Sequence, residues 1–132
     1  MGSFATTRIA DAATTTAPDG TRVHVLLRLD RGSMVHFELQ PGETSIAVVH
    51  ATVEEIWLFV AGRGELWRRH GDDEDVAPVQ AGACITLPVR THFQLRALGD
   101  DALAAICVTM PPWPGDGEAV RIAGKWLSTL AK

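Results

Sequence analysis

The most restrictive feature of this sequence is a succession of short, strand-like runs separated by turn residues. Between residues 21 and 110, apolar and β-branched residues recur in short runs, and glycine, proline or aspartate follows nearly every run. Strands spaced by about 8–12 residues with such punctuation are typical of β-sandwiches and β-barrels. The predicted strands are 21–30, 33–40, 44–50, 55–60, 64–70, 83–88, 92–98 and 102–110. The pattern therefore predicts an all-β fold.

The 132 residues are enough for one domain with one core, and they divide into three parts. Residues 1–20 are rich in alanine and threonine and lack periodicity, which predicts a flexible arm or an edge strand. Residues 21–110 form the predicted β-barrel. Residues 111–132 are predicted to pack on the barrel, with at most a short helix over 119–132, which Gly124 disfavours.

A stiff loop begins this last part. Its sequence, PPWPGDG at 111–117, contains three prolines and therefore cannot form a central strand. The loop carries Trp113. Two interpretations are open, one in which the loop covers one end of the barrel and one in which it forms a lid over a pocket.

Composition excludes several classes of function. Twelve basic residues against sixteen acidic ones give a net charge of -4, which argues against binding to nucleic acid or an anionic membrane. No apolar run approaches the roughly 20 residues of a membrane span, and the N-terminus lacks the apolar segment of a secretory signal. We therefore expect a cytoplasmic protein. Cys84 and Cys107 both lie in apolar runs, where cysteine behaves as a small buried hydrophobe.

Polar residues at strand ends carry the chemistry. His50 ends one predicted strand and Glu55 opens the next, so the short turn between them directs both side chains toward one space. His92 opens a later strand. The other three histidines lie within strands or beside the acidic turn and predict no site.

The residues around these positions resemble the two sequence motifs of the cupin superfamily. Over residues 33–110 the matching positions are Gly42, His50, Glu55, Gly62, Gly82, Pro88 and His92. The stretch EEIWLFVAGRGELW is the most specific part of the match. The resemblance implies a small jelly roll, or double-stranded β-helix. Val48, however, stands where the family has its first metal-binding histidine.

The resemblance implies that His50, Glu55 and His92 are catalytic and hold one divalent transition metal ion (Fe, Mn, Ni, Cu or Zn). Two histidines and one carboxylate are the ligand set of non-haem iron oxygenases, and they also suit catalytic zinc. The alternative is a site that has lost its metal with the histidine at Val48. Glu55 would then lie in a polar cluster as a general acid or base.

Strand alternation predicts further residues of the pocket. With Glu55 facing inward, Trp57 and Phe59 also face inward, whereas Ile56, Leu58 and Val60 face outward. With His92 facing inward, Gln94 and Arg96 share its face. The predicted ligand contacts are Trp57, Phe59, Gln94, Arg96 and Trp113. Arg96 either clamps a ligand carboxylate or enolate or forms a salt bridge at the rim.

The resemblance thus implies a small metal-dependent cupin acting on a small organic metabolite, as a dioxygenase, isomerase or lyase. The alternative is a metal-free cupin that binds a small molecule without catalysis, so the sequence leaves enzymatic activity open. A small-molecule ligand is the expected partner. The apolar outer strand face and the resemblance to single-domain cupins also predict a homodimer.

Overall fold

The computed structural model describes residues 3–130 and consists of two antiparallel β-sheets packed face to face. Its strands are β1 (Ala13–Thr16), β2 (Arg22–Leu29), β3 (Gly32–Leu39), β4 (Val48–His50), β5 (Glu54–Ala61), β6 (Arg63–His70), β7 (Asp73–Gln80), β8 (Cys84–Leu87), β9 (His92–Leu98), β10 (Leu103–Met110) and β11 (Ala119–Arg121). One sheet has the order β1-β2-β3-β10-β5-β8, and the other has the order β11-β4-β9-β6-β7. The all-β jelly roll expected from the sequence is confirmed.

Strand β5 shows how the sequence builds this architecture. Glu55, Trp57 and Phe59 are buried, whereas Ile56, Leu58 and Val60 are each 43–45% exposed. Successive residues of a strand face opposite sides, so the inward set enters the space between the sheets. The predicted alternation of this strand is confirmed.

The hairpin between β5 and β6 explains one glycine of the cupin-like motif. Gly62 has a φ of +74°, and a Cβ atom there would lie 2.3 Å from the Ala102 carbonyl oxygen. Only glycine adopts this backbone conformation without cost and allows so close an approach. The turn therefore lets β5 and β6 pass into opposite sheets beside the start of β10.

The core fills the space between the two sheets. Its side chains without exposure include Phe59, Leu39, Leu66, Leu95 and Leu103. Phe37 and Phe93 contact Trp57 through edge-on ring packing, at centroid distances of 4.6 and 5.5 Å. Burial of this apolar surface is the main force that holds the sheets together.

Strand β7 was not predicted, because its first residues are acidic and resemble a solvated turn. In the structure, the Trp67 indole donates a hydrogen bond of 2.7 Å to Glu74, and Arg68 pairs with Asp75 at 2.8 Å. These cross-strand contacts hold the acidic residues in the ladder with β6. The strand lies at the edge of its sheet, where Pro78 is tolerated.

The two terminal parts also pair with the barrel. Within the predicted arm, β1 adds to the edge of β2, and β11 adds to β4. No α-helix forms within residues 3–130, so the possible C-terminal helix is absent up to residue 130; residues 131 and 132 lie outside the described part. Gly124 lies where a Cβ atom would come within 2.4 Å of the Gln94 side chain. This part of the C-terminal segment is thus fixed by close contact with β9.

Two further observations complete the fold. Cys107 is buried as predicted, but Cys84 is exposed on the outer face of its sheet, and both thiols are free. No helix in the described part of the chain is long and apolar enough to cross a membrane.

Candidate active site

A cavity of about 820 Å³ opens between the two sheets. Strands from both sheets line it, and the aromatic side chains of Phe37, Trp57, Phe93 and Trp113 form much of its wall. His50 and Glu55 are the histidine and glutamate on this wall. The cavity therefore combines an aromatic wall with convergent polar groups, a combination that is typical of a small-molecule site.

Glu55 is held by neighbours on its own strand and on β4. Its Oε1 atom accepts a hydrogen bond of 2.8 Å from the Trp57 indole N–H. Its Oε2 atom lies 3.7 Å from Nδ1 of His50. That distance is too long for a direct hydrogen bond, so His50 does not occupy Oε2. Both side chains are more than 90% buried.

The turn between His50 and Glu55 is fixed by a residue far away in the sequence. Glu118 accepts hydrogen bonds from the backbone N–H groups of Thr52 and Val53, at 2.7 and 2.8 Å, and from the Thr52 hydroxyl at 2.6 Å. Burial would raise the pKa of Glu118, but these hydrogen bonds prevail and lower it. The ionised carboxylate thereby sets the separation of the two site residues.

Burial shifts the protonation of both site residues toward their neutral forms. Loss of hydration raises the pKa of Glu55 to about 7, although hydrogen bonds from Trp57 and Cys107 oppose the rise. Burial lowers the pKa of His50 to about 4, against the opposing charge of Glu118. At neutral pH, His50 is therefore a neutral imidazole and Glu55 is divided between its acid and carboxylate forms.

The His50 ring is fixed between two aromatic side chains. Phe93 and Trp113 contact it edge-on, with ring centroids 5.1 and 5.0 Å away. The backbone N–H of Trp113 donates a 3.1 Å hydrogen bond to the Ser33 hydroxyl, which is itself hydrogen-bonded to Thr109. In this structure the proline-rich loop thus lies over the cavity wall with Trp113 against the imidazole.

The structure does not place His92 beside His50 and Glu55. Phe93 faces the cavity instead, whereas His92 faces the opposite side of β9, with Nδ1 3.2 Å from the Arg69 guanidinium. A phase difference of one residue moves every side chain of a strand to the other face. The apolar residues Phe93, Leu95 and Ala97 of β9 indicate this phase, and the motif alignment pointed to the opposite one.

Gln94 and Arg96 share the outward phase of β9. The Gln94 amide donates hydrogen bonds of 2.9 Å to the backbone carbonyl oxygens of Ser45 and Trp126. Arg96 pairs with Glu65 at 2.5 Å and stacks on the Trp126 ring at 4.1 Å. Both side chains therefore attach the C-terminal segment to the barrel. Their predicted position in the pocket is wrong, and for Arg96 the salt-bridge interpretation agrees with the structure.

Of the aromatic residues predicted to contact a ligand, two line the cavity and one does not. Trp57 and Trp113 line the cavity, whereas Phe59 is fully buried in the core and lies outside the cavity lining. Trp57 and Phe59 both face the interior, so the prediction that a side chain faces inward did not show whether it lines the cavity or packs in the closed part of the core.

A family model described as the cupin domain matches residues 35–109, more than half of the chain. This chain belongs to the cupin family. The finding agrees with the double-sheet barrel and confirms the resemblance drawn from the motifs. Among curated proteins, none matches the chain in sequence.

Solved structures of other cupin-like chains are similar to this cupin. CapF of Staphylococcus aureus, a capsular polysaccharide assembling protein, is 20% identical with a TM-score of 0.68, over 84% of this chain and 34% of CapF. A predicted oxalate decarboxylase of Thermotoga maritima is 15% identical with a TM-score of 0.67, over 81% and 99% of the two chains. The nucleoside dehydratase Pac13 from Streptomyces is 12% identical with a TM-score of 0.71, over 91% and 92%. The chain spans about a third of CapF, and at these identities the likeness shows the fold alone.

The donor set of this cupin does not fit the three-ligand metal site implied by the motifs. Val48 supplies no ligand atom, and His92 faces away, so only one imidazole and one carboxylate of the implied set converge. Within residues 3–130, no group of three or more His, Cys, Asp or Glu side chains is arranged to hold a metal ion. Catalytic zinc and non-haem iron sites use three protein ligands.

Among the lining residues that the sequence reasoning missed, Asp19 and Cys107 are both titratable and buried. The Asp19 carboxylate is buried and accepts hydrogen bonds from the N–H and hydroxyl of Thr21, at 3.0 and 2.7 Å; burial raises its pKa. The Cys107 thiol contacts Glu55, and burial raises its pKa well above the ordinary range. The Asp-Gly-Thr turn at 19–21 is the only local signal for Asp19, because the pairing that brings it inward is distant in sequence.

Proposed function

We propose that this cupin catalyses proton transfer on a small organic molecule, as an isomerase or a lyase of the dehydratase type. The observation that carries the proposal is a buried carboxyl group, Glu55, at 3.7 Å from a buried neutral imidazole, His50, on the wall of an aromatic cavity. A general base is most effective when its pKa lies near the working pH. Burial raises the pKa of Glu55 to about 7, which meets this condition.

The proposed chemistry needs no metal ion, oxidant or reductant. The Glu55 carboxylate accepts a proton from a carbon atom next to a carbonyl group, and the electron pair of the broken C–H bond forms an enolate C=C bond. The protonated Glu55 then returns the proton. Delivery to another carbon completes an isomerisation, whereas delivery to a hydroxyl group on the adjacent carbon releases water as the C–O bond breaks.

The neighbours of Glu55 are suited to separate roles. The Trp57 N–H occupies Oε1 and fixes the carboxyl plane, so Oε2 receives the proton. His50, neutral at working pH, offers a ring nitrogen as a hydrogen-bond partner for a substrate oxygen. Glu118 is a positioning residue, because it acts through the turn that separates the other two. The description of Pac13 as a nucleoside dehydratase supports the lyase class in this fold.

The test is proton exchange in deuterated water. A panel of small β-hydroxy aldehydes and ketones is incubated with the protein, and deuterium incorporation next to the carbonyl is followed by NMR. We expect exchange with at least one compound and a loss of about 10²-fold or more in Glu55→Gln. Glu54→Gln is the matched control, because Glu54 is exposed at the preceding position. Equal exchange rates in Glu55→Gln and the wild type would contradict the proposal.

The second candidate is a metal-free binding protein without catalysis. It is favoured by the aromatic wall formed by Trp57, Phe93 and Trp113, which suits a ring-shaped ligand whether or not it reacts. Tight binding of a panel compound that undergoes no exchange in the wild type would favour this candidate.

We propose that the protein acts in the cytoplasm as a homodimer. On the outer face of the six-stranded sheet, Ile56 and Leu58 of β5 are exposed, and so is Met34 of β3. Val108 of β10 lies between them and registers with Ile56 on one side and Met34 on the other. A two-fold axis would cover this face in both copies at once. The exposed thiol of Cys84 suits a reducing compartment. Light scattering should give twice the chain mass for the wild type and a smaller mass for Leu58→Lys; a wild-type monomer would contradict the dimer.

A further inference from the structure

Charge is distributed unevenly along the cavity. Asp19 and Glu55, both buried, are the carboxyl groups of its inner wall. Arg28 and Arg121, both exposed, are the only arginine or lysine residues among the described lining residues. The exposed part of the lining, called the opening below, therefore carries the guanidinium groups, whereas the buried part carries the carboxyl groups of Asp19 and Glu55.

The two arginines come from different parts of the fold. Arg28 is near the end of β2 in the six-stranded sheet, whereas Arg121 ends β11 in the other sheet. Neither forms a salt bridge or a side-chain hydrogen bond within the described residues. Asp116, also exposed, is the one acidic residue that lines the opening with them. The opening thus keeps a positive excess and unused hydrogen-bond donors.

We propose that the ligand is an organic anion that places its phosphate or carboxylate group at Arg28 and Arg121 and inserts its neutral portion toward Glu55. Guanidinium groups bind such oxyanions through paired N–H donors, and they do so while partly exposed to water. The buried carboxyl groups of Asp19 and Glu55 offer an anion no cationic partner at the inner end, and the ionised form of Glu55 repels it. The aromatic side chains between the two ends accept an uncharged ring or chain. This inference rests on the proposed function only in placing the reactive part of the ligand beside Glu55.

The experiment compares three probes with the same ring by titration calorimetry at pH 8 and low salt. The probes are phenyl phosphate, phenylacetate and benzyl alcohol, of which only the last is uncharged. We expect one or both anions to bind about tenfold or more tightly than benzyl alcohol, and added salt to weaken only the anions. Preference for one anion would identify the group as phosphate or carboxylate.

Two double variants decide whether the arginines are responsible. In Arg28→Ala/Arg121→Ala the anion preference should disappear while benzyl alcohol binds as before. Arg8→Ala/Arg31→Ala is the matched control, because it removes the same charge from exposed residues outside the cavity lining. Equal binding of all three probes by the wild type, absence of binding, or unchanged preference in the first variant would overturn the inference.

Failure of this inference is separable from failure of the proposed function. Glu55→Gln should lose deuterium exchange and keep the anion preference, since Glu55 lies at the other end of the cavity. If the wild type shows no anion preference but still loses exchange in Glu55→Gln, only the anion site is refuted.

Discussion

Replacing Glu55 with glutamine should change how the stability of the protein depends on pH. Burial raises the pKa of Glu55 from an ordinary 4.5 to about 7 in the folded state. A carboxyl group with a raised pKa binds its proton more tightly in the folded than in the unfolded chain. Its contribution to stability is therefore complete below pH 4.5 and is lost as the pH rises through about 7. At about 1.36 kcal/mol per pH unit, the loss amounts to about 3 kcal/mol.

His50 has the opposite dependence. Burial lowers its pKa from 6.5 to about 4, so its contribution is complete above pH 6.5 and is lost as the pH falls toward 4. Between pH 4.5 and 6.5 the two effects cancel, because the folded pair holds one proton on Glu55 and the unfolded pair holds one on the histidine. Glu55→Gln removes one member of this balance. The variant should gain about 3 kcal/mol relative to the wild type between pH 4.5 and pH 8.

The assay is urea denaturation followed by tryptophan fluorescence at several pH values from 4.5 to 8. Glutamine retains an amide oxygen for the Trp57 hydrogen bond, so the comparison isolates the ionisable proton. Glu54→Gln should follow the wild type at every pH, because Glu54 is exposed. A difference between Glu55→Gln and the wild type that stays constant from pH 4.5 to 8 would refute the effect of burial on Glu55.

Four further substitutions test the positions around the site. Glu118→Ala should lower the free energy of unfolding by about 3 kcal/mol in urea denaturation, since it leaves two turn N–H groups without partners; a loss below 1 kcal/mol would contradict this. His92→Ala should retain wild-type deuterium exchange, whereas His50→Ala should lose it. Equal losses of exchange in the two variants would contradict the orientation of β9. Gly124→Ala should lower stability by about 1–3 kcal/mol, because its Cβ atom would meet the Gln94 side chain at 2.4 Å, and an unchanged urea midpoint would contradict it.

Local pattern was sufficient to predict the fold and one half of the site. In β5 both faces are largely apolar, so strand alternation predicted only which residues share a face, and the cupin-like motif supplied the inward position of Glu55. In β9 the two faces are both covered, one by the core and one by the C-terminal segment. Gln94 is therefore as buried as Leu95. Because a polar and an apolar residue of β9 are equally buried, residue polarity could not show that the motif-based prediction assigned the wrong face to the interior.

The remaining features depend on contacts between distant parts of the chain. Glu118 fixes a turn 66 residues away, and Asp19 reaches the cavity from a segment whose own sequence indicates an arm. No local spacing encodes such contacts, because they form only when the two sheets close. The shifts in the pKa of Glu55 and His50 belong to the same class, since they arise from burial in the closed barrel.

The most direct measurement of the central claim is the titration of Glu55 itself. The side-chain carboxyl carbons of glutamate are labelled with ¹³C, and the signal absent from Glu55→Gln is followed by NMR between pH 4 and 9. Burial raises the pKa of Glu55 to about 7, so we expect a midpoint near pH 7 and a shift of that midpoint when a cavity ligand is added. A midpoint near the ordinary 4.5, unaffected by any ligand, would contradict Glu55 as the proton-transfer group.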